Sequence, residues 1–352
     1  MIPGDGIGVE TTREAVRVLQ ALDLDLRLIP FPWSADHYLA TGETVPAGAF
    51  EMLRRDADAV LVGAFGDPRV ADNRHAREIL LGMRFEMDLY VNYRPVKCLL
   101  DSLSPLKKAG AREIDFVIFR ENTEGAYAGA GGQLKRGTPD EVAIEEDIST
   151  RKGVERITRH AFAFARTFEK PTREGRRPRV LMADKHNVQR FGGELWHRVF
   201  REVAAEFPDC EPQHMFVDAL TMQMVRDPAS LDVVVTNNMF GDIVTDLGAM
   251  LQGGMGVAAS GNLHPGKTSM FEPIHGSAPP LAGKGIANPI GSIVTAQMML
   301  EGLGERDAAA RLEHAVLGCL AAGETTTDLG GTLTTSQAGD AVLRRLERME
   351  PR

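Results

Sequence analysis

The stretch LDVVVTNNMFGDIVTDLGAM, residues 231–250, combines the two patterns that decide the fold. Its first seven residues form a mainly apolar run, which predicts a buried β-strand ending at residue 237. The following residues predict a helix that begins after Gly241 and carries Asp242 and Asp246. Because these aspartates are four residues apart, both lie on one helix face. A strand leading directly into a helix indicates an α/β fold.

Similar patterns recur outward from this stretch. Buried strands are predicted at residues 58–63, 113–120 and 178–184. Helical periodicity is found at residues 10–22, 74–88, 152–168, 192–207, 292–303 and 306–322. The strands ending near residues 120, 184 and 237 terminate in polar residues, and ligand sites of open α/β sheets lie beyond carboxyl ends of strands. Residues 129–148 predict an exposed arm, either a hairpin that pairs across an interface or a solvated loop.

Length and composition exclude several classes of protein. With 352 residues, 43% of them hydrophobic, the chain is long enough for two domains. Its net charge of -9 argues against nucleic-acid binding. No apolar run approaches the roughly 20 residues needed to span a bilayer, so we expect a cytoplasmic protein without membrane association. Cys98, Cys210 and Cys319 lack the spacing of a zinc site or disulfide framework, which predicts ordinary thiols rather than reactive ones.

The pair Asp242 and Asp246 has two readings. The carboxylates could bind Mg²⁺ or Mn²⁺, which prefer oxygen ligands. Alternatively, Asp242 caps the helix while Asp246 points to solvent. Asp218, within VDALTMQMV, and Lys185, within DKHNV at the end of a predicted strand, favour the metal site. A lysine near acids and a metal can act as a base once its pKa is lowered, although an isolated one is an ordinary surface residue.

Three arginines form a second candidate group. Arg84 and Arg94 lie within MRFEMDLYVNYRP, and Arg120 precedes ENTEGAY. Guanidinium groups match carboxylates in a bidentate manner, so their convergence would suit a dicarboxylate or tricarboxylate. Separate surface ion pairs are the alternative. Tyr127 is close enough in sequence to Arg120 to share its site and donate a proton.

The N-terminal loop PGDGIG, residues 3–8, is a weak match to a dinucleotide fingerprint. Its glycines follow GxGxG rather than GxGxxG, and almost no strand precedes them. We therefore expect a turn leading into the first helix, not a pyrophosphate site of the Rossmann type.

Five motifs together resemble the isocitrate/isopropylmalate dehydrogenase family across essentially the whole chain: GDGIGVE, RENTEGAY, DKHNV, NNMFGDIVTDL and SMFEPIHGSAP. The resemblance implies a two-domain, isopropylmalate dehydrogenase-like α/β fold that is not a Rossmann fold, with parallel and mixed sheets flanked by helices. It implies a cofactor-binding domain at residues 1–90 plus 253–352. Residues 91–252 would form the substrate, metal and dimerisation domain, with a protruding arm at about 129–150.

The resemblance also implies a mechanism and a homodimer with shared active sites. Mg²⁺ or Mn²⁺ would be bound by Asp242 and Asp246, with Asp218 from the partner subunit. Lys185, also from the partner, would help remove the C2 hydroxyl proton of a 2-hydroxy dicarboxylate while hydride passes to the nicotinamide. Tyr127 would help return a proton to C3 after decarboxylation. The substrate carboxylates would be held by Arg84, Arg94 and Arg120.

The cofactor is expected along the GDGIG turn and the loop at residues 275–288. The matching positions are Ile7, His275, Gly276, Ser277, Ala278 and Asn288. NAD-using relatives have an aspartate after HGSAP and NADP-using relatives a lysine, whereas this chain has Pro280. Because no phosphate partner is present there, the resemblance favours NAD. Relatives also begin with a longer strand before PGDGIG, and a shortened central strand would be expected to weaken the cofactor domain.

Substrate choice in the family depends on the helix that ends near Arg84. Isocitrate enzymes place serine and asparagine there, whereas this chain has Ile79, Leu80 and Leu81, of which the two leucines could bury an isopropyl group. Core packing of each residue is the alternative. The resemblance therefore implies decarboxylation of 3-isopropylmalate to 2-oxoisocaproate, in leucine biosynthesis.

Other members of the family remain as alternatives. D-malate or tartrate dehydrogenases also carry a leucine pair, but they place a tryptophan where this chain has Arg77. Standard isopropylmalate enzymes have a glutamate at that position, for which Glu78 is a possible substitute. Homoisocitrate or isocitrate dehydrogenases and a catalytically silent regulatory subunit are weaker alternatives, since a silent subunit would have lost some of the catalytic residues.

Overall fold

The computed structural model describes residues 1–173 and 175–348, and the chain divides into two compact units. Unit 1 comprises Met1–Leu89, Cys98–Ala111 and the chain from Ala249 onward. Unit 2 comprises Tyr90–Lys97 and Arg112–Gly248. The architecture is mixed α/β, with largely parallel strands flanked by helices, as the sequence predicted.

The described residues form strands and helices that alternate along much of the chain. The strands are β1 Ile2–Gly4, β2 Ala59–Ala64, β3 Val91–Lys97, β4 Asp115–Glu121, β5 Gly131–Leu134, β6 Val142–Glu145, β7 Arg179–Asp184, β8 Glu211–Phe216, β9 Val233–Thr236, β10 Ala259–Leu263 and β11 Ser269–Pro273. The helices are α1 Ile7–Gln20, α2 Ala35–Thr41, α3 Ala49–Asp56, α4 Arg74–Glu86, α5 Arg151–Thr167, α6 Arg190–Ala204, α7 Val217–Arg226, α8 Asn238–Leu251, α9 Ile290–Leu303, α10 Arg306–Ala321 and α11 Thr335–Glu347.

Unit 1 is built on four strands in the order β1-β2-β11-β10. β2 runs parallel to both β1 and β11, while β10 is antiparallel to β11. β1 is therefore at the outer end of this order, and the expectation that it is a central strand is wrong. One face of the unit packs a core that includes Phe50, Ile79 and Met83.

Unit 2 contains strands in the order β3-β4-β9-β7-β8. β4, β9, β7 and β8 are mutually parallel, and β3 is antiparallel to β4. The carboxyl ends of the parallel strands consequently lie at one edge, where they present Arg120, Asp184 and Asn237. The three polar strand endings therefore lie at the edge of the sheet where ligand sites of open α/β sheets are expected.

The arm predicted as hairpin or loop contains a hairpin. β5 and β6 pair antiparallel, with Gly131 opposite Glu145 and Leu134 opposite Val142. Every residue of both strands is exposed, including Ile144, whose exposed fraction is 44%. A two-stranded ribbon with no covered face is only marginally stable by itself.

The three cysteines are free and buried, and burial raises the pKa of each thiol. A raised pKa makes a thiol less reactive, as expected for the ordinary thiols that the sequence predicts. Among the described residues, no helix has both the length and the apolar character needed to cross a membrane.

His160 on α5 provides a test of how burial affects stability. Its ring packs edge-on against Phe119 with a centroid distance of 4.8 Å, and burial lowers its pKa from 6.5 to about 4. As the pH falls from 6.5 towards 4, His160 is therefore protonated in the unfolded chain before it is protonated in the folded chain. We expect this residue alone to lower the free energy of unfolding by about 2 kcal/mol between pH 7 and pH 5. Urea unfolding at both pH values measures the effect.

The variant His160→Gln should lose that part of the pH dependence, because glutamine does not titrate. His314→Gln is the matched control, since His314 lies exposed on α10. Equal pH dependence in wild type and His160→Gln would contradict the prediction.

Candidate active site

Asp242 and Asp246 lie on α8, which begins at Asn238 rather than after Gly241. The side chain of Asn237 accepts a hydrogen bond from the Phe240 amide at 2.9 Å and satisfies this first turn. The predicted helix start was therefore wrong, because an asparagine cap precedes the glycine. Asp242 is inside the helix, so the alternative in which it caps the helix is also wrong.

Gly241 has a packing role within α8. A Cβ atom at this position would lie 2.5 Å from Cγ of Arg120, so the absence of a side chain lets Arg120 pass over the helix. Arg120 is 1% exposed at the end of β4. Its Nε donates to Asn238 Oδ1 at 2.8 Å, and its Nη1 donates to Asp242 Oδ1. These contacts of Arg120 connect β4 to α8.

Tyr127 reaches the same carboxylate from the turn after β4. Its hydroxyl donates to Asp242 Oδ2 at 2.6 Å, and the Arg120 guanidinium carbon lies 5.0 Å from the centre of its ring. The Glu121 carboxylate shapes this turn by accepting hydrogen bonds from the amides of Thr123 and Glu124, at 2.9 and 2.7 Å. Arg120, Tyr127 and Asp242 thus form one cluster, as the motifs predicted.

The two aspartates of α8 have opposite pKa shifts. Burial acts to raise the pKa of Asp242, but the positive charge of Arg120 and the Tyr127 hydrogen bond outweigh burial and keep it below its usual value. The pKa of Asp246 is raised, first by burial and then by the negative charge of Asp242. Arg94, whose Nε donates to Asn92 Oδ1 at 2.8 Å, lowers both. The pKa of Tyr127 is raised by burial and by Asp242.

This arrangement fits a hard divalent cation. Asp246 has no hydrogen-bond or ion-pair partner among the described residues, and its carboxylate is repelled by that of Asp242. A cation between two such carboxylates relieves the repulsion, and oxygen ligands suit Mg²⁺ or Mn²⁺. Asp242 stays ionised and is oriented by Arg120 and Tyr127, as a metal ligand must be.

Lys185 and Asp218 form a separate pair at the ends of two adjacent parallel strands. Lys185 follows β7, and Asp218 opens α7 directly after β8. Lys185 Nζ lies 2.8 Å from Asp218 Oδ1, and this contact lowers the pKa of Asp218. The side chains are 28% and 64% exposed. Neither hydrogen bond nor ion pair joins them to Asp242 or Asp246 in the described part of the chain.

The substrate residues predicted on α4 differ in burial. Arg84 is 8% exposed and its Nη2 donates to Glu272 Oε1 at 2.9 Å, while its Nε is buried without a partner among the described residues. Ile79 is fully buried in the core of unit 1, and Leu80 packs against that core. Leu80 and Leu81 are both partly exposed, and Leu81 is not among the side chains that pack against this core.

The predicted cofactor residues lie together in unit 1. The amide of Ile7 donates to the Ser277 carbonyl at 2.9 Å. Gly6 has φ of 56°, and a Cβ there would lie 2.0 Å from the same carbonyl oxygen. Only glycine permits this approach, which brings the GDGIG turn against the loop at residues 275–288. The GDGIG turn and the loop therefore lie side by side, as expected if a cofactor binds along both.

The interior of the GDGIG turn is held by Asp5. Its carboxylate accepts hydrogen bonds from the amides of Ala35 and Gly66, at 2.6 and 2.9 Å, and lies 2.7 Å from Nε2 of the buried His75. The turn is therefore fixed by a buried polar network rather than by a long preceding strand.

His275 and Asn288 are suited to contact a ligand. His275 is 8% exposed, burial lowers its pKa, and its Nε2 is buried without a partner among the described residues. Asn288 donates to Asp328 Oδ2 at 2.9 Å and accepts from the Ile290 amide at 3.0 Å. Ala278 has φ of 40°, a strained value for a residue with a side chain. An unsatisfied neutral imidazole in this loop fits a dinucleotide that supplies the missing hydrogen bond.

Three positioning residues were missed by sequence reasoning. Asn238 orients Arg120, Glu272 holds Arg84, and Asp328 holds Asn288. The first two stand inside motifs that were singled out, NNMFGD and SMFEPIHG, and so had a usable signal. Asp328 lies outside every motif, and only the tertiary contact identifies it.

Comparison with known proteins places these features in a family. The family described as "Isocitrate/isopropylmalate dehydrogenase" matches residues 1–342. The chain is similar to the 3-isopropylmalate dehydrogenase of Thermobifida fusca (strain YX), with 45% identity over 352 residues that cover 98% of this chain and 96% of the relative. It is 47% identical to that of Rhodococcus erythropolis (strain PR4 / NBRC 100887), over 98% of this chain and 99% of the relative.

Two solved structures superpose closely on this chain. Isocitrate dehydrogenase from Methylococcus capsulatus superposes with a TM-score of 0.87 at 35% identity, covering 98% of both chains. The TT0538 protein from Thermus thermophilus superposes with a TM-score of 0.86 at 34% identity, covering 99% of this chain and 68% of that chain.

Proposed function

The chain belongs to the isocitrate/isopropylmalate dehydrogenase family, and on this basis we propose that its substrate is 3-isopropylmalate. It is a decarboxylating dehydrogenase by this membership. The reaction yields 2-oxoisocaproate and reduced NAD, in leucine biosynthesis. The observation that carries the proposal is the cluster of Arg120, Tyr127 and Asp242, with Arg94 acting on the same carboxylates. It combines cations for a dicarboxylate with an acid–base group and a metal ligand.

The choice of 3-isopropylmalate is supported by α4. Leu80 and Leu81 precede Arg84 by four and three residues, so their side chains share its side of the helix. An apolar surface beside a buried arginine suits a substrate that has both a carboxylate and an isopropyl group. Glu78 hydrogen-bonds Arg74 and Thr44 at 2.6 and 2.8 Å, which leaves the apolar contact to the leucines. The similar relatives named 3-isopropylmalate dehydrogenase agree with this assignment.

Each charged residue has a distinct role in the proposed reaction. Arg84, Arg94 and Arg120 bind the substrate carboxylates. Lys185, acting as the neutral amine, accepts the C2 hydroxyl proton as hydride leaves C2 for the nicotinamide, and Asp218, whose Oδ1 lies 2.8 Å from Nζ, holds the lysine side chain in position. The C3 carboxylate then leaves as CO2, and Tyr127 delivers a proton to C3; the raised pKa of Tyr127 keeps the phenol protonated until that step.

The proposed metal ligands are Asp242 and Asp246, completed by Asp218. A bound Mg²⁺ or Mn²⁺ supplies Lewis-acid stabilisation of the negative charge that develops during decarboxylation. Arg120 keeps Asp242 ionised and oriented for this purpose. The elevated pKa of Asp246 makes it the ligand at which protons compete most directly with the metal.

NAD is the proposed cofactor, bound by unit 1 through Ile7, His275, Gly276, Ser277, Ala278 and Asn288. Pro280 lies exposed in this loop and offers neither an acceptor for a ribose hydroxyl nor a charge for a 2′-phosphate. NAD is favoured over NADP because a phosphate without a cationic partner binds poorly.

A homodimer with shared active sites is supported by exposed apolar surface on unit 2. The exposed fractions are 86% for Phe191, 71% for Val188, 65% for Met222 and 58% for Ile243. Side chains of this kind mark protein interfaces when they cluster. Val188 and Met222 follow Lys185 and Asp218 closely in sequence, and Ile243 adjoins Asp242. Dimerisation through unit 2, including the bare hairpin β5–β6, would therefore bury surface beside the catalytic residues.

We also propose a cytoplasmic location. Three buried free thiols and the absence of any disulfide among the described residues suit a reducing compartment.

Steady-state kinetics with purified protein test the function. The substrates compared are 3-isopropylmalate, D-malate, tartrate and isocitrate, each with NAD⁺ and with NADP⁺ in the presence of Mg²⁺ or Mn²⁺. We expect the highest kcat/KM with 3-isopropylmalate and NAD⁺. A preference for D-malate, tartrate or isocitrate would overturn the substrate assignment. Turnover that survives a strong chelator would overturn the metal mechanism.

Leu81→Ser provides an internal control for this assay. Loss of the apolar contact should lower kcat/KM for 3-isopropylmalate by roughly 10-fold or more. The rate with D-malate, which lacks the isopropyl group, should change little. Equal losses with both substrates would show that Leu81 does not contact the isopropyl group.

A further inference from the structure

A cluster of three histidines and one aspartate lies in unit 2 outside the proposed catalytic set. Asp184 ends β7, His186 follows it in the next turn, His197 lies on α6, and His214 lies on β8. His214 Nε2 lies 2.9 Å from Asp184 Oδ1, and His186 Nδ1 lies 3.0 Å from the same oxygen. One ligand atom from each of the four residues falls within 4.8 Å of the others. The cluster is therefore compact and assembled from three different elements.

His197 is the member that hydrogen bonding does not explain. Its Nε2 is buried without a partner among the described residues, and its ring centroid lies 4.3 Å from that of His186 and 4.4 Å from that of His214. A buried imidazole nitrogen without a partner is destabilising. Burial, followed by the neighbouring His214, lowers the pKa of His197, so the ring is neutral and its nitrogen lone pair is available at neutral pH.

We propose that Asp184, His186, His197 and His214 form a second metal site that binds a transition-metal ion of the Zn²⁺ class. Imidazole nitrogens with a single carboxylate are the ligands that Zn²⁺ and Co²⁺ prefer. The paired aspartates of α8 offer only oxygen and suit Mg²⁺ or Mn²⁺. The two sets of ligands therefore differ in chemistry as well as in position along the sheet edge.

The geometry needs only a small contraction to bind such an ion. Ligand atoms around a tetrahedral Zn²⁺ at about 2.0 Å are about 3.3 Å apart, whereas those of the cluster lie within 4.8 Å of one another. His186 has room to move, because it lies in a turn and its side chain is 34% exposed. Asp184 of the cluster also lines a cavity of about 200 Å³, together with Gly193 and Trp196 among others.

Metal binding would also affect the proposed base. Lys185 lies between Asp184 and His186, so an ion held by both neighbours restrains the backbone on either side of Lys185. This consequence depends on the proposed function, whereas the binding of the ion does not. The experiment therefore measures metal binding rather than enzymatic activity.

The protein is first stripped of metal and then saturated with Mg²⁺, which fills sites made of oxygen ligands. It is then titrated with Co²⁺, and Co²⁺ binding is followed by visible absorption. We expect one Co²⁺ per chain with the intense absorption of four-coordinate Co²⁺, displaced stoichiometrically by Zn²⁺. His197→Gln should weaken Co²⁺ binding by more than about 100-fold, because loss of a direct ligand exceeds the loss caused by its supporting partners. His314→Gln, at an exposed position on α10, is the matched control and should bind as wild type does.

Two further variants keep the test decisive. His186→Asn changes a partly exposed histidine of the cluster and serves as the second variant if His197→Gln does not fold, as judged by circular dichroism. Asp242→Asn should retain the Co²⁺ spectrum, which separates this site from the α8 aspartates. The proposal is overturned by no Co²⁺ binding, by equal binding in wild type and both histidine variants, or by loss of binding only in Asp242→Asn.

Discussion

Replacing Lys185 with methionine should lower kcat by roughly 10²- to 10⁴-fold, the range in which a positioned general base contributes. Methionine keeps the length of the side chain but cannot accept the C2 hydroxyl proton. The KM for 3-isopropylmalate should change much less, because the proposed partners of its carboxylates are arginines, which this substitution leaves in place. Steady-state rates with saturating Mn²⁺ measure both values. Lys107→Met, at an exposed position of unit 1, is the matched control.

A hybrid dimer shows which subunit supplies Lys185. Lys185→Met and Asp242→Asn chains are co-expressed with different affinity tags, and the hybrid is purified through both. If Lys185 acts in the active site of its partner, one of the two sites combines intact Lys185 with intact Asp242, and about half of wild-type activity per dimer returns. If Lys185 acts within its own chain, both sites are defective. An inactive hybrid would therefore refute the shared site.

Asp242→Asn should lower kcat by about three orders of magnitude or more, since Lewis-acid stabilisation contributes several kcal/mol and each 1.36 kcal/mol is tenfold in rate. The substitution removes a proposed metal ligand and the negative charge that faces Arg120 and Tyr127. Rates measured as a function of Mn²⁺ concentration, with Mn²⁺ binding measured separately, should show weaker binding as well as slower turnover.

The matched control is Asp307→Asn, which removes one negative charge from an exposed position of α10. It should leave kcat and Mn²⁺ affinity unchanged. If Asp242→Asn binds Mn²⁺ as tightly as wild type, Asp242 is not a metal ligand, whatever the loss in rate.

Sequence periodicity was sufficient for the strands that are buried throughout. β2, β4, β7 and β9 appear as apolar runs because both faces of a parallel sheet are covered by other elements. β8 was not predicted, since its sequence EPQHMF is only partly buried and has no apolar run. β3, with the sequence VNYRPVK, was missed because polar residues, including the buried Asn92 and Arg94, interrupt its pattern.

The candidate site shows the same division between local and distant information. The common face of Asp242 and Asp246 follows from helical geometry alone. The start of α8 does not follow from helical geometry alone. Asn237, which caps the helix, and Gly241, against which Arg120 packs, lie close together in the sequence. The opposite pKa shifts of the two aspartates depend on Arg120, which is far away in the chain and near only in the fold.

The sequence by itself determined the family, the α/β class and the spacing of the α8 aspartates, and it predicted the arginines and Lys185 as site residues. Those features are carried by motifs and by the short periods of helices and strands. The tertiary structure alone decided that Glu272 holds Arg84 and that Asp184 lies among three histidines. The histidine cluster has no spacing motif, because the pairing of β7 with β8 and the packing of α6 bring its members together. Contacts of that kind depend on strand register and helix packing, which a single sequence does not display.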